Sequence, residues 1–214
     1  MVNATRALSQ QGLNRGTSGN IGVRLERTFL VTPSGVPAED LYADLMVEMD
    51  FDGAVLAGGK PSSEWRIHRD IFAARSDVGA VVHTHSRYAT TLACLHLEIP
   101  PFHYMIAAAG GDTVRCAPYA LFGSQQLSDV ALQALVGRKA CLLGNHGMLA
   151  VGASLRSALA LAVELESLCE QYWSALQLGQ PKLLTPSQMQ EVMERFKTYG
   201  QTESPAGALS GQPQ

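Results

Sequence analysis

GAVVHTH at residues 79–85 is an apolar run that ends in two histidines. A short, continuous apolar run of this kind is typical of a strand buried inside a sheet. Because the side chains of residues i and i+2 in a strand point to the same face, His83 and His85 are expected to project together. Two imidazoles a few ångströms apart can form half of a metal site. The alternative is that they are simply two polar residues at the end of a strand.

Short strands and helices are predicted on both sides of this run. Further strands are predicted at 20–25, 28–32, 46–50, 54–56, 113–117, 140–143 and 148–151, and helices at 2–11, about 63–75, 86–95, 124–136, 154–179 and 185–200. Mixed elements with adjacent strands favour a single-domain α/β sandwich over a doubly wound parallel sheet, and its central, largely antiparallel sheet would be flanked by helices. We expect one domain over residues 1–200 and a mobile tail over 201–214, which is rich in Gly, Pro, Ser and Gln.

Length, charge and cysteine content argue against several classes of protein. The 214 residues suffice for one core, and the net charge of −3, from 16 basic and 19 acidic residues, argues against a nucleic-acid-binding surface. No uninterrupted apolar run reaches the roughly 20 residues that span a bilayer. The four cysteines form no CxxC pair and no signal peptide is visible, so we expect reduced, buried thiols in a cytoplasmic protein.

His146 and Glu64 are the residues that would complete a metal site with the histidine pair. His146 lies in NHG at 145–147, a tight turn between two apolar strands. Three imidazoles with one open position make a catalytic zinc site, although a lone turn histidine is more often structural. Glu64 lies at a helix start that we expect to be exposed; a metal ligand, a general base, both in turn, or an acid favoured by the helix dipole all remain open. The histidines interpreted as structural or supporting are His68, His96 and His103.

Three separate polar turns suit an oxyanion such as phosphate. Small residues let backbone N–H groups approach an anion, and serine and threonine hydroxyls can donate further hydrogen bonds. Turns of this composition are common for other reasons, so each one by itself is a weak signal. No Walker A or GxGxxG pattern is present to imply a nucleotide. The turns are GTSGN at 16–20, TPSG at 32–35 and PSS at 61–63.

Taken together, these motifs resemble those of the class II aldolase/adducin family. The ordered set is GTSGN at 16–20, TPSG at 32–35, PSSEWRIH at 61–68, HTH at 83–85 and NHG at 145–147. The stretches 103–123 and 196–200 are most similar to the members that act on L-fuculose 1-phosphate. The resemblance therefore implies reversible aldol cleavage of that sugar phosphate to dihydroxyacetone phosphate and L-lactaldehyde.

The resemblance also implies roles for individual residues. It implies one Zn²⁺ per subunit, bound by His83, His85 and His146, with Glu64 as the acid/base and a ligand in the resting state. It implies a homotetramer of fourfold symmetry with sites at the subunit interfaces. From the sequence alone, Tyr104, Phe122 and Tyr199 would instead be assigned to core or interface packing. The residues that would hold the substrate phosphate are Gly19, Asn20, Ser34, Gly35, Ser62 and Ser63, and those that would position the aldehyde are Tyr104, Phe122 and Tyr199.

Related reactions on the same scaffold remain open alternatives. Members of the family include a pentulose-phosphate 4-epimerase, a sugar-acid phosphate decarboxylase and a thiosugar-phosphate dehydratase, all of which could use a metal-stabilised enediolate or enolate. Fold and metal chemistry do not separate these reactions. A non-enzymatic, adducin-like scaffold would have lost the metal ligands, whereas this chain keeps the three histidines and Glu64.

Overall fold

The computed structural model describes residues 1–197, so Tyr199 and the tail at 201–214 lie outside the described residues. The strands are β1 (Asn20–Arg24), β2 (Thr28–Val31), β3 (Val47–Asp50), β4 (Val55–Ala57), β5 (Ala80–Thr84), β6 (Cys116–Ala117), β7 (Ala140–Leu143) and β8 (Gly147–Gly152). The helices are α1 (Val2–Gln10), α2 (Trp65–Ala74), α3 (Arg87–Cys94), α4 (Gln125–Ala134), α5 (Leu155–Leu178) and α6 (Pro186–Phe196). Short 3₁₀ turns, which the sequence did not predict, lie at Ala38–Asp40, Ala43–Leu45 and Tyr104–Ala109.

The strands form one sheet in the order β4-β3-β2-β1-β5-β8-β7-β6. Only the pair β6–β7 is parallel among the described strands. Tight turns join β1 to β2, β3 to β4 and β7 to β8, and such short connections make the paired strands antiparallel. The predicted α/β sandwich with a largely antiparallel sheet is confirmed. Strand β6 is shorter than the predicted strand at 113–117, because Val114 pairs separately with Ile99.

Helices cover both faces of the sheet, and this explains why GAVVHTH is apolar throughout. Ala80 and Val82 of β5 belong to a core formed with α1, α3, α5 and α6. Val81 of the same strand belongs to a second core, formed with α2 and α4. A strand that is buried on both faces loses the alternation of apolar and polar residues that marks a half-exposed strand.

Strand pairing brings distant motifs to one end of the sheet. Asn20, at the start of β1, lies opposite His83 near the end of β5. Thr84 lies opposite Met148 at the start of β8, so the NHG turn that precedes β8 reaches the same end. Because β5 lies between β1 and β8, the HTH motif has the GTSGN turn on one side and the NHG turn on the other.

Helix α3 is capped by a distant carboxylate and not by the serine at its N-cap position. Ser86 occupies the N-cap position, but its side chain makes no capping hydrogen bond. Glu166 of α5 instead accepts hydrogen bonds from Ser86 Oγ (2.6 Å), Tyr88 N (2.8 Å) and Ala89 N (2.9 Å). A carboxylate accepts several bonds at once and its charge complements the helix dipole, so it satisfies this helix start better than a hydroxyl.

The start of α2 also differs from expectation. Glu64 itself occupies the N-cap position. The expectation of an exposed start is wrong, because only 5% of the Glu64 surface is accessible. Ile67 and Ile71 of α2 pack in a core with residues of the sheet, and this packing buries the start of the helix.

The cysteines and the helices agree only in part with the sequence-based expectations. All four thiols are free, and burial raises the pKa of the Cys141 and Cys169 thiols, which keeps them neutral. Cys94 is exposed and Cys116 is half-buried, so the expectation of burial is wrong for these two. Cys94 is the last residue of α3, and the buried residues of that helix are Ala89, Leu92 and Ala93. Within residues 1–197, no helix is both long enough and apolar enough to cross a bilayer.

Replacing Glu166 with Ala is expected to lower the free energy of unfolding by about 2 kcal/mol, because three donors lose a charged acceptor. Chemical denaturation followed by circular dichroism measures this change. The control is Glu164→Ala on the same helix, which removes no capping interaction and should change stability by less than about 0.5 kcal/mol. Equal losses in the two variants would contradict the capping role.

Candidate active site

Three histidines and one carboxylate converge at the end of the sheet described above. The ring centroids of His83, His85 and His146 are 4.8 Å apart in every pair. The ligand atoms of these rings and of Glu64 all lie within 4.8 Å of one another. The two carboxylate oxygens reach different rings, with Oε2 3.2 Å from His83 Nε2 and Oε1 3.2 Å from His146 Nε2.

Backbone contacts fix the orientation of these rings. His83 Nδ1 lies 2.9 Å from the Met148 carbonyl oxygen, so this nitrogen donates to the carbonyl and Nε2 points into the cluster. Asn145 has φ 54°, a conformation that asparagine tolerates, and this lets the chain turn sharply before His146. At Gly147, a Cβ atom would lie 2.3 Å from the Thr84 carbonyl oxygen, so only glycine allows the turn to lie this close to β5.

The charges of the cluster suit a cation. Burial by itself raises the pKa of the Glu64 carboxyl, but the charge and hydrogen bond of His83, the charge of His146 and the amide of Asn20 hold that pKa well below its usual value. Burial and the charge of His83 lower the pKa of His146 to about 4. Burial and the charges of His83 and His146 lower the pKa of His85 to about 4 as well. At neutral pH, Glu64 is therefore ionised while His85 and His146 are neutral and able to donate lone pairs.

The donor set fits a divalent metal ion. Glu64 Oε1 is buried and makes no hydrogen bond within residues 1–197, and His83 Nε2 and His85 Nε2 lie only 3.0 Å apart. A cation between these atoms would satisfy all of them, because each presents a lone pair to the same space. Imidazole nitrogens with one carboxylate are ligands that zinc accepts in catalytic sites.

The three polar turns surround one cavity beside the cluster, which we call the anion cavity. Ser34 N donates to the Lys60 carbonyl and Ser62 N to the Thr32 carbonyl, both at 3.0 Å, so the second and third turns are held side by side. These two backbone N–H groups are therefore used within the protein, and the Ser62 hydroxyl also accepts a hydrogen bond from Glu64 N at 3.3 Å. The residues that line the anion cavity are Thr17, Ser18, Gly19, Asn20, Pro33, Ser34, Gly35, Ser62, Ser63, Glu64, His85, Phe122 and His146.

Two asparagines link the GTSGN turn to the cluster, and the sequence indicated only one of them. Asn20, predicted to bind phosphate, lines the anion cavity but donates from Nδ2 to Glu64 Oε2 at 2.8 Å. Asn14 is buried and its Oδ1 accepts a hydrogen bond from His85 N at 3.1 Å. A Cβ atom at Gly19 would lie 2.3 Å from the Asn14 amide, so the glycine leaves room for it. No local signal marks Asn14, because its partner is 71 residues away.

The predicted aromatic residues fall into three groups. Phe122 lines the anion cavity with 64% of its surface exposed. Its loop is held by Gly123, whose carbonyl accepts a hydrogen bond from Arg66 Nη1 at 3.1 Å. Tyr104 is 51% exposed and is not among the residues that line the cavity. Tyr199 lies beyond the described residues.

Both the sequence and the fold are similar to those of known proteins. The sequence model described as the class II aldolase and adducin N-terminal domain matches residues 1–173. A 5-methylthioribulose-1-phosphate/5-deoxyribulose-1-phosphate aldolase of Rhodospirillum rubrum is 52% identical over 94% of this chain and 90% of its own length. An L-fuculose phosphate aldolase of Escherichia coli K12 is 42% identical over 94% of both chains. The structure of an L-fuculose 1-phosphate aldolase matches with a TM-score of 0.89 and 38% identity, over 92% of this chain and 93% of the other.

The cluster is expected to bind one zinc ion per chain. Replacing His146 with Ala should weaken zinc binding by more than about 100-fold, because even the loss of a hydrogen bond to a ligand costs about 10- to 100-fold. Competition with a coloured chelator and elemental analysis measure the affinity and the stoichiometry. His103→Ala is the matched control and should bind zinc as the unaltered protein does; equal weakening by both changes would place the metal elsewhere.

Proposed function

The chain belongs to the class II aldolase and adducin family, and on that premise we propose that it is a zinc-dependent aldolase that cleaves a ketose 1-phosphate between C3 and C4. The products would be dihydroxyacetone phosphate and a short aldehyde. The observation that carries this proposal is that the histidine–carboxylate cluster and the phosphate-suited turns form the walls of one cavity. A sugar phosphate held by the turns would place its carbonyl group beside the cluster.

Each part of the cavity has a task in this reaction. Zinc, when bound, would supply a Lewis acid that polarises the C2 carbonyl. The hydroxyls of Ser34, Ser62 and Ser63 would hold the phosphate. Glu64 faces the cavity as an ionised carboxylate, which in the synthetic direction would remove a proton from C3. In the cleavage direction it would first take up the proton released by the C4 hydroxyl and then return that proton to C3. No lysine is among the described residues that line the cavity, so no lysine amine is positioned there to form a Schiff base with the substrate.

For the sugar, we propose 5-deoxyribulose 1-phosphate or 5-methylthioribulose 1-phosphate ahead of L-fuculose 1-phosphate. Support comes from the Rhodospirillum rubrum relative, whose identity of 52% exceeds the 42% of the Escherichia coli fuculose-phosphate enzyme. The exposed ring of Phe122 adds an apolar surface at the cavity, which suits a methyl or methylthio group at C5. Cleavage of these substrates would release acetaldehyde or methylthioacetaldehyde in place of lactaldehyde.

The exposed position of Tyr104 supports a proposal about assembly. A half-exposed tyrosine away from the cavity of its own chain could reach the cavity of a neighbouring subunit, as in a homotetramer with sites at its interfaces. There the Tyr104 hydroxyl would relay the proton that leaves the C4 hydroxyl of the substrate. Tyr199 would close over the aldehyde. A monomeric mass in light scattering of the zinc-loaded protein would contradict this proposal.

Cleavage of three ketose 1-phosphates is the experiment that tests the function. Dihydroxyacetone phosphate is followed with an NADH-consuming enzyme, for the untreated protein, after a chelator and after the return of zinc. We expect zinc-restored cleavage of all three, with kcat/KM for the two 5-substituted ribulose phosphates at least about 10-fold higher than for L-fuculose 1-phosphate, a difference of about 1.4 kcal/mol. No cleavage by folded, zinc-loaded protein would reject the proposal and favour an epimerase, a decarboxylase or a dehydratase.

Replacing Glu64 with Gln is expected to weaken zinc binding but to leave the site loaded at saturating zinc, because three imidazoles remain, and to lose proton exchange. Deuterium incorporation into dihydroxyacetone phosphate, followed by NMR in heavy water, should slow by about 100-fold or more, the usual contribution of a general base. The exposed Glu26 offers a matched control as Glu26→Gln, which should exchange normally. Normal exchange by zinc-loaded Glu64→Gln would remove the acid/base role.

A further inference from the structure

A chain of hydrogen bonds runs behind Glu64 into the core. Asn20 Nδ2 donates to Glu64 Oε2 at 2.8 Å, and Asn20 Oδ1 lies 2.5 Å from Nε2 of His68. His68, on α2, is 1% exposed, and Asn20 is 5% exposed. These side chains are therefore shielded from water, and the hydrogen bonds between them hold them in position.

The donor and the acceptor in each of these hydrogen bonds follow from the chemistry of the three side chains. An ionised carboxylate only accepts, so the amide nitrogen of Asn20 faces Glu64 and its oxygen faces His68. His68 must then donate from Nε2, which leaves Nδ1 without a proton. Burial, followed by the charge of His83, lowers the pKa of His68 to about 3, so the ring is neutral and has one N–H to give.

Packing holds the His68 ring in place at a cost to stability. A Cβ atom at Gly22 would lie 2.3 Å from His68 Nδ1, so the glycine of β1 makes room for the ring. His68 Nδ1 is buried and makes no hydrogen bond within residues 1–197. An unsatisfied buried acceptor destabilises a fold, and an apolar side chain here would avoid that penalty. The bond from Nε2 to Asn20 is the interaction that accounts for a histidine at this position.

We propose that His68 is a positioning residue that fixes the Asn20 amide, and through it the Glu64 carboxylate, against the metal site. The proposal rests on the proposed function in one respect, namely that the Glu64 carboxylate must be held in place to serve at the metal site. The Asn20 amide contacts Glu64 through Nδ2, and the bond from His68 to its Oδ1 keeps the amide from rotating. Asn20 also lines the anion cavity, so the same restraint steadies the wall that faces the phosphate.

Substitutions of His68 and of the neighbouring Gly22 test this positioning role. His68→Leu removes the donor, and Gly22→Ala displaces the ring without changing its chemistry; both should weaken zinc binding by about 10- to 100-fold and lower kcat more than they change KM. His68→Gln, which keeps an N–H near the same place, should recover zinc affinity and kcat to within about 3-fold of the original protein. Ile71→Val, in the same helix and core, is the matched control and should lower only the melting temperature.

Several results would overturn the role. Unchanged zinc affinity and kcat in His68→Leu would do so, as would equal losses in His68→Gln and His68→Leu, because the N–H would then be irrelevant. If His68→Leu does not fold, the unaltered protein still decides through nitrogen-15 NMR of its imidazoles. A His68 signal with Nε2 protonated supports the proposal, and one with Nδ1 protonated refutes it. Failure to cleave any sugar would reject the proposed function but would leave the zinc-affinity and NMR results readable.

Discussion

The burial of one ionised carboxylate is the constraint on which the rest of this structure depends. Glu64 is only 5% exposed. Removing an ionised group from water costs on the order of several kcal/mol unless neighbouring groups compensate for the lost hydration. His83, His146 and Asn20 provide part of that compensation. Glu64 Oε1 still has no hydrogen bond within residues 1–197, and a divalent cation would complete the compensation. The site is therefore built to be stable with a metal ion present.

Such a cluster needs a rigid support, and the sheet provides it. Strand β5 is buried on both faces and paired on both sides, so the histidines at its end have little freedom to move. The neighbouring strands bring in Asn20 and the turn that contains His146. Glycines at 22 and 147 leave space where other side chains would push His68 or the turn away. Precision at the site follows from the packing of the core around it, as is usual for metal centres.

The same scaffold explains why reaction class and substrate are separate questions. Metal ligands, the carboxylate and the phosphate-suited turns belong to the rigid end of the sheet and would serve any reaction that passes through an enediolate. Under the proposed function, the choice of aldehyde would depend instead on exposed groups such as Phe122 and Tyr104, which lie outside the core. A difference in selectivity between the fuculose phosphate and the ribulose phosphates would arise there, without any change at the cluster.

Local patterns were enough to predict the sheet-based fold, the histidine pair at the end of β5 and the polar turns, because each depends on periodicity or on residues next to one another. The sequence also placed His146 and Glu64 among the ligand candidates through their motifs. Only the tertiary structure decided that Glu64 is buried, that Glu166 and not Ser86 caps α3, and that Asn20 connects Glu64 to His68. These contacts join residues 44 to 80 positions apart. Such pairings are set by strand order and by the packing of helices on the sheet, and no local pattern in the chain encodes them.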